Sequence, residues 1–403
     1  MSASDEAPSL TEPIVLLLSA ILGFLISNSP LAETYQHLLH TPIQIVIGHM
    51  SLLDKSLLHL INDGLMVIFF LFVGLELKRE IIVGELSDIR KAMLPIFGAA
   101  GGMIVPALVY FAFNPSGPES AGWGIPMATD IAFAMGILAV LGSRVPTALK
   151  ILLTAIAIVD DLGAILVIAM FYTSELNLGA LSLAFGLLAF AFALNQAGVM
   201  KTSVYVAIGI PIWYFMLKSG IHATIAGVLL AAVIPLAKKG QSTATVIADI
   251  FQKKASPLDS PAVFLEKSLA KWVGIVIIPI FAFSNSGVPL QSLEFGSIGL
   301  GVSLGLLVGK PVGITLAAFL AKKLNLANLP KGVSWEQVIG LGFLAGVGFT
   351  MSLFISSLAF TNEAFNDQAK LAIILGSLTA AFIGTITLLK ASNRSTKAKS
   401  STT

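Results

Sequence analysis

Two aspartates stand side by side at Asp160 and Asp161, inside Ala157-Ile-Val-Asp-Asp-Leu-Gly-Ala164, with apolar runs on both sides. Asp130 and Lys310 lie in similar apolar surroundings. Ionised carboxylates are hard oxygen ligands suited to a small cation. Burial and mutual repulsion both disfavour the doubly ionised pair, so the two groups titrate as a coupled unit. Protons and cations therefore compete for the same oxygens. Such competition suffices for exchange, provided the site opens alternately to two sides.

An inert reading of these charges exists, because a buried Asp–Lys pair can simply join two helices. It accounts for one aspartate and the lysine. It does not account for adjacent aspartates, whose side chains leave a helix about 100° apart and cannot both face one partner. Each ionisable group at the centre of a membrane span costs about 2.5–3.5 kcal/mol on insertion scales. Four such costs approach the whole stability of an ordinary domain, about 5–15 kcal/mol.

The rest of the chain is built to hold such charges in a membrane. Of 403 residues, 56% are hydrophobic and 11% charged, with a mean hydropathy of +0.90. A soluble domain keeps roughly a quarter of its residues charged. A net charge of +2 gives nucleic acid no footprint, and the absence of cysteine excludes disulfides and thiolate metal sites. The first residues carry Asp5, Glu6 and Glu12 without a basic residue, unlike a secretory signal. Runs of roughly 20 apolar residues predict an all-α polytopic protein of about twelve spans. They fall near 13–31, 57–77, 92–113, 121–142, 148–172, 178–198, 203–217, 219–236, 268–285, 296–321, 336–360 and 367–389. With that count, all but Lys55, Lys218, Lys310 and Lys370 of the 24 Lys and Arg residues fall on the side of the termini. Positive charge concentrates on the cytoplasmic side, so both termini are expected there. Residues 1–12 form the N-terminus, 13–391 the transporter domain, 237–266 a polar cytoplasmic loop, and 392–403 a disordered tail. The β-branched stretch from Ile43 to Gly48 suggests a short hairpin between the first two spans.

Two spans are interrupted at the depth of the charges. Pro126 disturbs the fourth within a turn or so of Asp130, and Gly346-Val-Gly-Phe-Thr350 loosens the eleventh. Irregular backbone at this depth survives only inside protein or around a cavity. Broken helices in corresponding positions of two halves mark transporter sites. The breaks are seven spans apart, so repeats of about 92–172 and 296–389 have opposite topology. Each break leaves half-helix ends with partial charges. Asp130 either offsets the positive ends or is itself a cation ligand; Lys310 either offsets the negative ends or pairs with Asp160.

Several segments resemble the bacterial NhaA-type sodium/proton antiporters: Asn62-Asp-Gly-Leu-Met66, Val73-Gly-Leu-Glu-Leu-Lys-Arg-Glu80, Ala128-Thr-Asp-Ile-Ala-Phe-Ala134 and Ala157–Ala164. Leu217-Lys-Ser-Gly-Ile-His-Ala-Thr224, Gly309-Lys-Pro311 and Gly346-Val-Gly-Phe-Thr-Met-Ser352 continue the resemblance, which runs from about residue 12 to 390. It implies discontinuous crossed helices and electrogenic export of Na⁺ or Li⁺ against proton entry, without a cofactor. It assigns Asp160 and Asp161 to cation and proton binding, Thr129 to an auxiliary ligand, and Asp130 and Lys310 to charge balance at the breaks. It places Glu76, Arg79, Glu80, Glu266 and His222 in the response to alkaline pH. It also implies an inner-membrane homodimer, with the 43–54 segment as a contact. Simpler roles stand beside these: a hydrogen bond to a neighbouring helix for His222, and orientation of a cytoplasmic helix end for the Glu/Arg cluster. Lys267 stands where a histidine is expected beside Glu266, which bears on the pH set-point.

Other classes fit less well. A sodium-coupled symporter of an organic solute shares the broken-helix logic but needs a roomier polar site. An intramembrane aspartyl protease uses Tyr-Asp and Gly-x-Gly-Asp motifs, whereas Asp130 follows Thr129 and Asp160 follows Val159. No Gly-x4-Gly-Lys-Ser/Thr segment is present, so the driving force is a gradient and the chain is a secondary transporter rather than an enzyme.

Overall fold

A computed structural model describes residues 10–48, 50–173, 176–237, 243, 260–290 and 295–400. Most of the expected loop 237–266, and the N-terminus up to residue 9, lie outside the described residues. The chain order is α1 (Thr11–Ser27), α2 (Ala32–His40), β1 (Pro42–Ile47), β2 (Met50–Ser56), α3 (Leu57–Val83) and α4 (Ile89–Phe113). A 3-10 stretch, Pro118–Met127, leads to α5 (Ile131–Leu141), followed by α6 (Thr147–Phe171), α7 (Leu178–Gln196), α8 (Thr202–Lys218) and α9 (Ile225–Val233). Then come α10 (261–285), α11 (Ser297–Lys323), α12 (Trp335–Ala345), α13 (Phe349–Ala359) and α14 (Glu363–Ser400).

Among the described residues, seven helices are long and apolar enough to cross a membrane. Two broken pairs raise this to nine: α1 with α2, and α12 with α13, the latter bent by 46°. Helix occurs within each expected span, but several boundaries differ, that of α10 most instructively. Helix α10 begins at Pro261, ahead of the expected 268, because the Ser260 hydroxyl caps it at Val263 N–H and proline is favoured in a first turn. Its start carries Glu266 and Lys267, which hid it from a search for apolar runs. Helix α14 runs from Glu363 to Ser400, past the expected end of the last span at 389.

The chain divides into two compact units. One comprises residues up to Asn28, Asp88–Ala164 and the part from Asn285 onward. Its core joins α5, α6, α11 and α12 through Leu138, Leu149, Leu153, Ile314, Leu341 and Leu344. Helices α4 and α11 meet backbone to backbone: a Cβ on Gly313 would lie 2.1 Å from the Gly101 carbonyl oxygen. Only glycine permits that approach, and it seats the middle of α11, close to Lys310, against α4. Within α11 the turn Gly305–Gly309 widens to a π-helical one just before Pro311, which lacks an N–H for the regular ladder.

The second unit comprises Ser29–Ser87 and Ile165–Ser284. Its core gathers Leu75, Leu188, Tyr205, Ile212, Met216 and Leu230. It carries the hairpin expected from Ile43 to Gly48. Strands β1 and β2 pair antiparallel from Pro42 opposite Ser56 to Ile47 opposite Met50, and Gly48 turns the chain at positive φ.

The Gly101–Gly313 contact yields a direct expectation. Gly313→Val should destabilise the protein by about 1–3 kcal/mol through overpacking, seen as a lower melting temperature in detergent. Gly186→Ala, whose Cβ meets nothing within 4 Å, should not lower it. Equal melting of both variants would show that the close approach does not constrain the fold.

Candidate functional site

The first break lies between Met127 and Ile131, where Ala128 and Asp130 take extended backbone angles. Pro126 sits inside the preceding 3-10 stretch, so the interruption falls just beyond the residue that provokes it. The second break, at Gly346 to Gly348, separates α12 from α13. A Cβ on Gly346 would lie 2.4 Å from the Leu306 carbonyl oxygen, so α11 presses directly on this break.

The two interruptions are stitched together. Asp130 N–H donates to the Val347 carbonyl at 2.7 Å. Asp130 Oδ1 accepts from Phe133 N–H at 2.9 Å, capping the N-terminus of α5. Its Oδ2 accepts from Thr350 N–H at 3.1 Å and from the Thr350 hydroxyl at 2.5 Å, in the first turn of α13. One buried carboxylate thus serves two helix N-termini, where negative charge is favoured. Ser352 adds a link, its hydroxyl donating to the Ile125 carbonyl at 2.8 Å.

The opposite ends find different partners. Lys310 Nζ donates to the carbonyl of Met127, the last residue of the 3-10 stretch, and to Asp160 Oδ2 at 2.5 Å. The Thr129 hydroxyl lies 2.7 Å from the same Asp160 Oδ2 and 2.9 Å from the carbonyl of Ala345, the last residue of α12. Its single proton serves one of these at a time. Asp160 Oδ2 is thereby engaged twice, while Asp160 Oδ1 has no hydrogen-bond partner among the described residues. Asp161 follows on the same helix and is equally buried. Asp130, Asp160, Asp161 and Lys310 are each no more than 2% exposed, leaving three carboxylates against one ammonium.

A second cluster forms in the other unit. Arg79 Nε donates to Glu266 Oε1 at 2.9 Å, and its Nη1 to Glu80 Oε1 at 2.5 Å; Glu76 lies 4.0 Å away. Burial pushes the Glu266 carboxyl up from the ordinary range, and the Arg79 charge pulls it back. Lys78 turns from these acids and donates to the carbonyls of Ala232 and Ile234 at 2.7 and 2.6 Å, closing the C-terminal end of α9. His222 stands before the other end of α9, apart from the Arg79 cluster.

The family model for Na⁺/H⁺ antiporter 1 matches residues 8–388. Proteins named Na⁺/H⁺ antiporter NhaA from Shewanella pealeana and Shewanella amazonensis are 46% and 47% identical over 384 residues, covering 94% of both chains. The protein of that name from Escherichia coli O157:H7 is 46% identical over 379 residues, 92% of this chain and 93% of its own. This chain belongs to the Na⁺/H⁺ antiporter 1 family. Its apolar helices and these relatives make it a multi-pass membrane protein and a secondary transporter, and the relatives' names give solute symport no support.

Within this antiporter, Thr129, Asp130, Asp160, Asp161 and Lys310 come together in one unit, as do Glu76, Arg79, Glu80 and Glu266 in the other. His222 does not join either group. Three residues carry more than their sequence indicates. Thr350 holds Asp130 with both of its donors; its place directly after Gly-Val-Gly-Phe was the available signal. Lys78 caps a helix far along the chain. Asp63, within the Asn62-Asp-Gly segment, is buried and pairs with His59 at 3.1 Å.

Thr350→Val removes one donor from a buried carboxylate and should destabilise the antiporter by about 1–3 kcal/mol. Thr350→Ser, which keeps the hydroxyl, should restore most of that loss in detergent melting curves. Indistinguishable valine and serine variants would show that the hydroxyl does not support Asp130.

Proposed function

We propose that this chain exports Na⁺, or Li⁺, in exchange for protons across a bacterial inner membrane, electrogenically and under pH control. The observation that carries the reading is the state of Asp160. One of its oxygens is held by Lys310 and Thr129, the other is buried with no hydrogen-bond partner among the described residues, and Asp161 follows it on the helix. Protonated, the pair needs no counterion beyond Lys310. Ionised, it offers hard oxygens to a small cation, with the Thr129 hydroxyl oxygen as an additional ligand. A cation entering at Asp160 competes with Lys310 for its carboxylate by like-charge repulsion. Release of Lys310 from Asp160 then leaves its ammonium to the Met127 carbonyl and the broken helix. Cation binding displaces protons, and reprotonation expels the cation, so each transport half-cycle excludes the other.

The same reading takes the two interrupted spans as crossed helices in inverted repeats of about 92–172 and 296–389, within twelve spans and with both termini cytoplasmic. Support comes from the matching interruptions and from their location, with most of both segments, in one compact unit. Asp130 balances the positive helix ends rather than ligating the cation, since Phe133 and Thr350 already occupy both of its oxygens. The cluster of Glu76, Arg79, Glu80 and Glu266 sets the pH response, to which His222 contributes separately. The chain works as a homodimer through the 43–54 segment, whose hairpin supplies an edge for a second copy.

Everted vesicles from an antiporter-deficient bacterium, read by a pH-gradient dye, test the roles. Asp160→Asn and Asp161→Asn should each abolish Na⁺- and Li⁺-driven collapse of the gradient while the protein still inserts. Retained exchange in either variant would remove the shared-site mechanism. Lys310→Ala should lower stability or shift the pH profile, and a variant unchanged in both would make the lysine incidental.

A further inference from the structure

Helices α11 and α12 leave a groove of about 710 Å³ between them, within the roughly 300–1,000 Å³ of ordinary ligand pockets. Its walls are apolar: Val308, Val312, Leu316 and Phe319 on α11, and Ile339 and Phe343 on α12. The first five of these are also exposed on the outer face of the unit. From Leu307 to Phe319 the groove runs about 18 Å at ~1.5 Å per residue, a little over half the ~30 Å hydrocarbon core. Its length is that of one lipid leaflet.

One end of the groove is built differently. Trp335 lines it there, with its ring centroid 5.9 Å from that of Phe319, and Lys322 Nζ sits 5.7 Å over the indole. Lys323 follows on the same helix end, and both lysines are exposed. Neither forms an ion pair with a described residue, because Glu336, the acid at the start of α12, is taken by Arg394. The indole N–H likewise makes no hydrogen bond among the described residues. Aromatic and basic residues at the end of an apolar stretch mark the membrane–water boundary. Basic pockets between spans on the cytoplasmic side hold anionic headgroups.

We propose that this groove binds one anionic phospholipid, with an acyl chain between α11 and α12 and its phosphate at Lys322, Lys323 and the Trp335 N–H. Charge selects the occupant: two uncompensated ammonium groups at the mouth of an apolar slot favour a lipid of net negative charge over a zwitterionic one. The site lies behind the working machinery. Pro311 lines the groove next to Lys310, and a Cβ on Gly342 of α12 would lie 2.7 Å from the Pro311 Cα. A chain wedged there braces α11 against α12, the helix that ends at the second break.

The test is native mass spectrometry of the full-length protein released from micelles containing equal phosphatidylglycerol and phosphatidylethanolamine. The wild type should retain phosphatidylglycerol preferentially. Lys322→Gln with Lys323→Gln should weaken that retention by about fivefold per lysine removed without changing retention of phosphatidylethanolamine. Val312→Trp, which fills the slot and leaves the charges, should weaken it as well. Equal retention of both lipids by the wild type, or unchanged retention of phosphatidylglycerol by both variants, would overturn the proposal. Loss of a dimer instead of a lipid in Val312→Trp would assign the groove to a second copy and overturn it too.

Discussion

Breaking two helices at the depth of the hydrocarbon core leaves four helix ends that water cannot serve, and the architecture of the site follows from how those ends are satisfied. Each unmet backbone group there costs several kcal/mol. Asp130 meets both N-terminal ends with one carboxylate, and Val347 accepts its backbone N–H. Lys310 takes the Met127 carbonyl, and Thr129 reaches the Ala345 carbonyl. Three side chains from two helical segments therefore hold together what one covalent helix would otherwise hold by its own ladder.

Two of those three side chains also touch Asp160. That shared contact couples Asp160, the proposed ion ligand, to the backbone breaks: any change in its charge is felt by Lys310 and Thr129, and through them by the ends of both interrupted spans. A continuous helix has no such lever, because its carbonyls are already committed. Glycines at the contact of α4 with α11, and at the second break, keep α11 close enough for Lys310 to reach across. On the proposed mechanism, proton or cation occupancy of Asp160 therefore changes the support of two helix junctions together.

The candidate site residues were legible in the sequence because ionisable groups are rare in apolar runs and each one stands out. Asp130, Asp160, Asp161 and Lys310 needed no structure to be found, and Pro126 and Gly346-Val-Gly348 located the breaks to within a turn. The pairing was not legible. Sequence left Asp130 as either a balancing charge or a ligand, and the contacts of Phe133 and Thr350 with its two oxygens, which support the balancing role proposed above, become visible only in the structure. Thr350 is 220 positions away from Asp130, and nothing local encodes that bond. The start of α10 was missed because its first turns carry charge and bury only part of their surface, so hydropathy sees the helix late.

The central claim is that sodium and protons compete for the same carboxylates. Purified protein reconstituted in liposomes, with the sodium dependence of exchange measured at a series of pH values from neutral to alkaline, tests it most directly. Competition predicts that the sodium concentration for half-maximal rate falls as pH rises while the rate at saturating sodium stays nearly constant above the switching range. A half-saturating concentration independent of pH, with only the maximal rate changing, would contradict a shared site and separate the proton-binding groups from the Asp160–Asp161 pair.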